Sequence, residues 1–413
     1  MLTRRIFLRG SAIAIAGAGM APVWLARAAA APSNKRRKVL VTIFQRGAAD
    51  GLNMVVPFSE KRYYDLRPSI GIQAPRAGGG ANQAIDLDGH FALHQSLQPF
   101  KELWENKMLA IVDAVGSPDP SRSHFDAQDY MESGTPGSKG DGWLNRALPP
   151  KQTDSSPLRA VSLGATLPRT LRGDQSAIAV GNLEQFSTPS ATASIVEKMY
   201  ATTADASVGT AGKDAFAAMR MLDSLHDSPT PGGRGPGVFG QGGDLARALQ
   251  QVGRLIKADA GVEAAFAEVG GWDHHQNEPN QMANGLRQFS AALAAFCKDM
   301  GDRMEDIVIV TMSEFGRTAR ENGNNGTDHG HGSVMFVIGG QVKGGKVYGE
   351  WPGLEEEQLY EKRDLAVTTD FREVLSEVVA GQFGTTDLGR VFPGFKAGAP
   401  LGLLKTGPQA ALL

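Results

Sequence analysis

The chain has 413 residues, 41% of them hydrophobic, with 42 lysines and arginines against 44 acids and a formal net charge of −2. That length can bury a large core, and the near-balance of charge excludes the basic stripe of a nucleic-acid binder. A single cysteine, Cys297, excludes an internal disulfide and cysteine-ligated zinc; in its alanine-rich helical setting it reads as a small buried hydrophobe.

The chain opens with Thr3-Arg4-Arg5-Ile6-Phe7-Leu8-Arg9, the polar start of a twin-arginine export signal. Ser11 to Leu25 follows, rich in Ala and Gly. It is too short and too mild to span a bilayer, which needs about 20 strongly apolar residues. Ala26-Arg27-Ala28 offers a small-x-small cleavage site. Residues 1–28 are therefore expected to be a signal read by the twin-arginine translocase. Residues 29–413 are expected to be one domain delivered folded to the periplasm or the medium. Cleavage removes Arg4, Arg5, Arg9 and Arg27 and no acid, taking the formal charge from −2 to −6. Export of folded cargo lets a metal be inserted in the cytoplasm, where availability rather than raw affinity selects it. No later apolar run is long enough for a stable membrane span, and Lys35-Arg36-Arg37-Lys38 reads as solvated chain.

Strands and helices then alternate. Val39–Phe44 is the first strand and leads into the loop Gln45–Asn53; residues 74–82 form a Gly-rich loop. Met108–Val112 is a second strand, and a helix contains Phe125 to Met131. Ala160–Leu163 and Ala177–Val180 are shorter strands. Helical patterns cover Ser194–Tyr200, Asp214–Leu225 and Leu245–Ala258, and the Gly/Pro-dense segment Ser228–Gly243 is a surface loop. Val262–Val269 is a strand and Gln281–Met300 a helix. Asp306–Met312 is the clearest strand, a β-branched run of the fully buried kind. Val334–Ile338 follows, and Asp370 is placed to cap the helix Phe371–Ala380. This alternation favours a three-layer α/β/α sandwich around a mostly parallel sheet.

Four of the eight histidines fall in two Gly-rich clusters, Asp273-His274-His275 and Asp328-His329-Gly330-His331. Active sites in open α/β sheets gather beyond the carboxyl ends of strands, and Asp plus His from such loops suits zinc, manganese or iron. Asp50 lies in the loop after the first strand, although Asp-Gly is also an ordinary turn. Glu314 directly follows the strongest strand, and Arg317 beside it can grip an anion or simply pair with Glu314. Ser123, in Ser121-Arg122-Ser123-His124-Phe125, stands at a helix start, which suits either phosphate or sulfate binding or plain capping. His124 joins it as a candidate catalytic residue. No Gly-x-Ser-x-Gly elbow is present, so metal activation of the hydroxyl is better supported than a serine triad.

Together, the twin-arginine signal, the Arg46-Gly-Ala-Ala-Asp50-Gly loop, Ser121-Arg-Ser-His-Phe125, Gly271-Trp-Asp273-x-His275, Ser313-Glu-Phe-Gly-Arg-Thr318 and Thr327-Asp-His-Gly-His-Gly332 resemble an exported bacterial family of unknown function. That family is similar to the alkaline phosphatase and sulfatase superfamily. The resemblance covers about Val39 to Phe383. It implies an alkaline phosphatase-like sandwich with two metal sites and a hydroxyl nucleophile between them. Ser123 then matches the nucleophile, with Ser121 behind it, Asp50 the acid after the first strand, and Asp273 with His275 the first-metal pair. The superfamily places Asp-His directly after a core strand, where this chain has Ser313-Glu314-Phe315. Two assignments follow. Either Asp328 and His329 join Asp50 at the second metal while His331 completes the first, or Glu314 serves the second and one late histidine the first. The expected function is hydrolysis of a small anionic phosphate or sulfate ester with one or two divalent ions, Arg317 and Arg46 holding the anion. A non-catalytic envelope binding protein and a metal-free esterase are the alternatives.

Overall fold

The computed structural model describes residues 36–76, 83–137, 140–152, 155–183, 193–203, 206–226 and 242–405. The export signal, residues 77–82 of the Gly-rich loop and residues 228–241 of the Gly/Pro-dense segment lie outside the described residues. No helix among the described residues is long and apolar enough to cross a membrane.

The fold is α/β, and β1 (Val39–Gln45) is its reference strand, buried at every residue. Burying a large apolar side chain is worth about 1.5–3 kcal/mol, and β1 supplies Leu40, Ile43 and Phe44 at 0% exposure. After β1 come the short helices α1 (Gly51–Met54) and α2 (Lys61–Leu66) and a small antiparallel sheet of β2 (Val55–Val56), β3 (Ile85–Asp86) and β4 (Ala92–Leu93). Next are α3 (Gln98–Glu105), β5 (Leu109–Gly116), α4 (His124–Ser133), α5 (Trp143–Ala147), β6 (Ala160–Ser162) and β7 (Ile178–Ala179). Helices α6 (Ala193–Ala201), α7 (Ala206–His226) and α8 (Gly243–Lys257) precede β8 (Ala264–Val269) and α9 (Glu278–Met300). The chain closes with β9 (Ile307–Ser313), β10 (Ser333–Gly339), β11 (Lys346–Tyr348), β12 (Thr369–Asp370), α10 (Phe371–Phe383) and α11 (Leu388–Val391).

Among the described residues the main sheet has nine strands in the order β11-β5-β10-β9-β1-β8-β6-β7, with β12 beside β5. β1 lies parallel to both β8 and β9, with Leu40 opposite Ala264 and Val308. Side chains alternate across it. Val39, Val41 and Ile43 join a core with Phe100 of α3, Leu249 of α8 and Phe289 of α9. Leu40 and Phe44 face Tyr130 of α4, Trp143 of α5 and Val374 of α10. Two helical layers thus cover the sheet, as a buried parallel sheet requires.

One strand departs from the parallel pattern: β10 runs antiparallel to both β9 and β5. A parallel return needs a crossover, usually a helix, and residues 314–332 between β9 and β10 contain none. The other strands around it keep one sense, so the carboxyl ends of β5, β9, β1, β8 and β6 share one edge. The expected cap also forms, with Asp370 accepting the Arg372 backbone N–H at 2.9 Å.

Candidate metal centre

Loops from that shared edge bring three imidazoles to one carboxylate. His124 is the first residue of α4, Asp273 and His275 follow β8, and His329 lies between β9 and β10. His275 Nε2 is 2.9 Å from Asp273 Oδ1 and 3.1 Å from His329 Nε2. His329 Nε2 is 3.2 Å from Asp273 Oδ1, and His124 Nε2 is 3.5 Å from Asp273 Oδ2.

The other nitrogen of each ring is held from outside. His124 Nδ1 donates to Glu314 Oε1 at 2.7 Å, His329 Nδ1 to the Arg122 carbonyl at 2.9 Å, and His275 Nδ1 to Asp328 Oδ1 at 3.1 Å. A ring that donates from Nδ1 presents a lone pair at Nε2, so all three lone pairs converge on Asp273. His124 Nε2 is buried and has no hydrogen-bond partner. Two imidazole nitrogens 3.1 Å apart need a proton or a cation between them. His124, Asp273 and His329 each offer one ligand atom within 4.8 Å of the others, close enough for a single ion to reach all three, and His275 Nε2 flanks the Asp273–His329 side of that group. Orienting a ligand histidine through its second nitrogen is the usual outer layer of a metal site.

Surrounding charges keep the carboxylates ionised. Burial disfavours the Asp273 carboxylate, but the Arg317 hydrogen bond and charge outweigh it and hold its pKa below the usual range. For Glu314 burial is likewise overcome, by hydrogen bonds from His124, Gln128 and the Gly47 backbone. The Glu314 bond raises the pKa of His124, and burial lowers that of His329. Gly47 has φ +118°, and a Cβ there would meet the Asp273 backbone nitrogen at 2.7 Å, so glycine is required where this loop passes the site.

The remaining sequence candidates take other places. Glu314 and Asp328 form the outer layer described above. Asp50 is not brought to this group. It is 1% exposed, and both its oxygens face the buried guanidinium of Arg67, with Oδ1 accepting at 2.9 Å. Arg67 also donates to the Thr318 and Ala319 carbonyls. Beside this pair Glu278 is pushed well above the usual carboxylate range, first by burial and then by the Asp50 charge. Glu278 accepts from Thr327 Oγ1 at 2.7 Å, and Arg317 Nε donates to the same Oγ1 at 3.1 Å. Arg317 is 1% exposed and extends Nη1 to Asp273 Oδ1 at 2.8 Å, so it grips Asp273 from inside. His331 stands apart, its ring stacked on Tyr360 at 4.4 Å. Arg46 is taken up by Glu268, Gln128 and Glu132.

Ser123 occupies the N-cap position of α4 without a capping side-chain bond, and its backbone nitrogen donates to Ser121 Oγ at 3.1 Å. Capping, the plain alternative, is therefore not what its hydroxyl does. The sequence offers His124 beside Ser123 as a candidate catalytic residue, and the structure turns its Nε2 toward Asp273 and packs its ring against His329. The signal was available: it is the nearest histidine to the candidate hydroxyl. Arg67 gave no such signal, because Tyr64-Asp65-Leu66-Arg67-Pro68 reads as an ordinary helix end.

The model of the family described as "Protein of unknown function (DUF1501)" matches residues 37–394, and the chain belongs to that family. No curated protein matches in sequence. Among solved structures the chain is similar to Ps i-CgsB in complex with k-i-k-neocarrahexaose, at 10% identity and a TM-score of 0.37, covering 87% of this chain and 75% of that one. A protein in the alkaline phosphatase superfamily from Vibrio parahaemolyticus shows 12% identity and a TM-score of 0.29, over 74% of this chain and 60% of that one. Alkaline phosphatase from the Antarctic bacterium TAB5 shows 10% identity and a TM-score of 0.31, over 74% and 92%.

Proposed function

We propose that this member of a family of unknown function is an exported, metal-dependent hydrolase of phosphate or sulfate esters. The observation that carries the reading is the convergence of three oriented imidazoles on Asp273. His124, His275, His329 and Asp273 would hold one divalent ion. A second ion is not part of the proposal, because Arg67 already neutralises Asp50. When bound, the ion supplies Lewis-acid polarisation and lowers the pKa of a coordinated hydroxyl or water.

Ser123 is the nucleophile in this reading. It adjoins His124, its Oγ makes no cap, and the start of α4 favours an anion in front of it. Ser123 Oγ forms a bond to phosphorus or sulfur while the ester oxygen–phosphorus (or –sulfur) bond breaks. The hydroxyl proton ends on the departing alcohol. Water then cleaves the seryl ester, returns a proton to Ser123 and releases inorganic phosphate or sulfate. Arg317 acts by fixing Asp273, not by touching substrate. Delivery rests on Arg4 and Arg5: their joint replacement by lysine should leave the full-length chain in the cytoplasmic fraction.

The test is hydrolysis of p-nitrophenyl phosphate and p-nitrophenyl sulfate by zinc-loaded protein. Ser123→Ala is expected to lower kcat by at least 1000-fold while the bound metal stays, as removing an activated nucleophile does. Full activity in that variant overturns the mechanism. Bound metal with no ester hydrolysed leaves a metal-dependent binding protein instead.

A further inference from the structure

A cavity of about 330 Å³ opens at the carboxyl ends of β6 and β8, along the same helix α4 that begins at His124. Residues 162–168 at and beyond the end of β6, the end of β8 and one side of α4 enclose it, and Arg46, Asp129, Glu132, Arg169, Arg172 and Glu268 supply its charges. A chain of hydrogen bonds links the cavity to the candidate centre. Arg46 bonds both Glu132 and Gln128, and Gln128 bonds Glu314, which orients His124. Helix α4 measures the separation: Asp129 is five and Glu132 eight residues beyond His124, about 7.5 and 12 Å along the axis.

The lining sorts into a fixed floor and a responsive mouth. Glu132 is fully engaged, by Arg46 on one oxygen and by the backbone and hydroxyl of Thr170 on the other. Arg46 is likewise held between Glu132 and Glu268. At the mouth Arg169 meets Asp129 at 3.2 Å. Arg172 is exposed, and among the described residues its guanidinium bonds only the Leu167 carbonyl, from Nε at 3.1 Å. Its two terminal nitrogens are therefore positioned for an anion. Hydroxyls of Ser162 and Thr166 add donors and acceptors. An acyl chain or aryl group here would strip these polar groups of water without replacing it, whereas a polyhydroxylated body bonds them in both senses.

Phe125 projects from the first turn of α4. Its ring is 86% exposed, next to His124 and four residues before Asp129, hence on the same helix face as the cavity mouth. An isolated apolar ring facing water there suits the C–H face of a sugar. We propose that this cavity binds the body of a sugar-type ester that carries a second anionic group, received by Arg172 on the order of 10 Å from the reacting ester. This rests on the hydrolase reading for the position of the ester.

The test is equilibrium titration of the full, zinc-loaded chain with glucose 1,6-bisphosphate, glucose 6-phosphate and glucose. The bisphosphate is expected to bind at least ten-fold more tightly than the monophosphate. Arg172→Glu should erase that preference, while Lys298→Glu, an equal charge change near the far end of α9, should keep it. Equal affinities in the unmodified chain, or a preference that survives Arg172→Glu, overturn the cavity assignment. Phosphate release measured in parallel separates the two ideas. An Arg172-dependent preference without hydrolysis of any ester upholds the cavity and removes the hydrolase. Hydrolysis of p-nitrophenyl phosphate without the preference does the reverse.

Discussion

At the scale of single residues the centre depends on which nitrogen of each imidazole carries the proton. Glu314 settles this for His124, because its buried carboxylate accepts from Nδ1 at 2.7 Å and leaves Nε2 bare. Glu314→Gln keeps the size of the side chain but removes the charge and can offer an N–H where a lone pair stood. Outer-layer changes of this kind typically weaken metal affinity 10–100-fold. Competition between the protein and a chromogenic zinc chelator should show a loss of roughly that size. Unchanged affinity would mean that Nε2 of His124 is not a ligand. The residue types of the centre were legible in the sequence, because Asp273, His275 and His329 sit in Gly-rich turns after strands, where capping and turn roles alone explain them poorly. Which of them face Asp273 was not. Glu314, Asp328 and His331 look as ligand-like in sequence as His329 does, and only tertiary contacts separate them, Glu314 and Asp328 bonding ring Nδ1 atoms and His331 stacking on Tyr360. Asp50 is the sharpest case, since its partner Arg67 reaches it through tertiary contacts that no spacing reveals.

At the scale of elements, β5 carries a carboxyl that the centre does not use. Asp113 is buried, its Oδ1 accepts the Ala114 N–H at 2.8 Å, and Oδ2 has no partner. Ala114 has φ +47°, and the pairing of β5 with β10 shifts register nearby, so the strand is bulged at this point. Burial, against the Ala114 hydrogen bond, pushes the Asp113 pKa from 3.8 to about 7. The folded chain therefore holds a proton here that the unfolded chain has released between pH 3.8 and about 7. Its contribution is complete below that window and is lost as pH rises through it. Asp113→Asn should raise stability at pH 8 by on the order of 1–3 kcal/mol and flatten the fall between pH 4 and 8, read by urea denaturation. A variant less stable than the parent at pH 8 would show that Asp113 is ionised and paired instead. Strands β1 and β9 were legible because both faces are buried and the runs are β-branched. The direction of β10 was not, since hydrophobic patterning carries no sense of direction. The two-residue strands β2 to β4 are too short for any period to register.

At the scale of the whole molecule, the internal Arg67–Asp50 pair sets how the protein would respond to losing a bound metal. In a site where Asp50 needed an ion to balance it, chelation would leave a buried charge uncompensated. Here Arg67 supplies the balance from within the core, and Thr318 and Ala319 hold Arg67 in turn. Breaking that pair with Arg67→Met should cost about 3–5 kcal/mol in chemical denaturation, with or without zinc, because Asp50 is then buried alone. Removing the ion should cost less. An ion at the centre would tie together loops from β5, β8 and β9, and at a thousand-fold excess over its Kd a ligand adds about 4 kcal/mol to the folded state. Unfolding entropy near 2.1 cal/mol/K per residue converts this, for a chain of 413 residues, to a fall in Tm of about 5 °C. Scanning calorimetry after dialysis against EDTA should therefore show one cooperative transition displaced downward by that amount and restored by zinc. Asp273→Ala should start near the lower value and ignore both additions. Collapse of the transition on chelation would mean that the ion, not Arg67, neutralises the buried acids; no displacement would mean that the three imidazoles hold no metal.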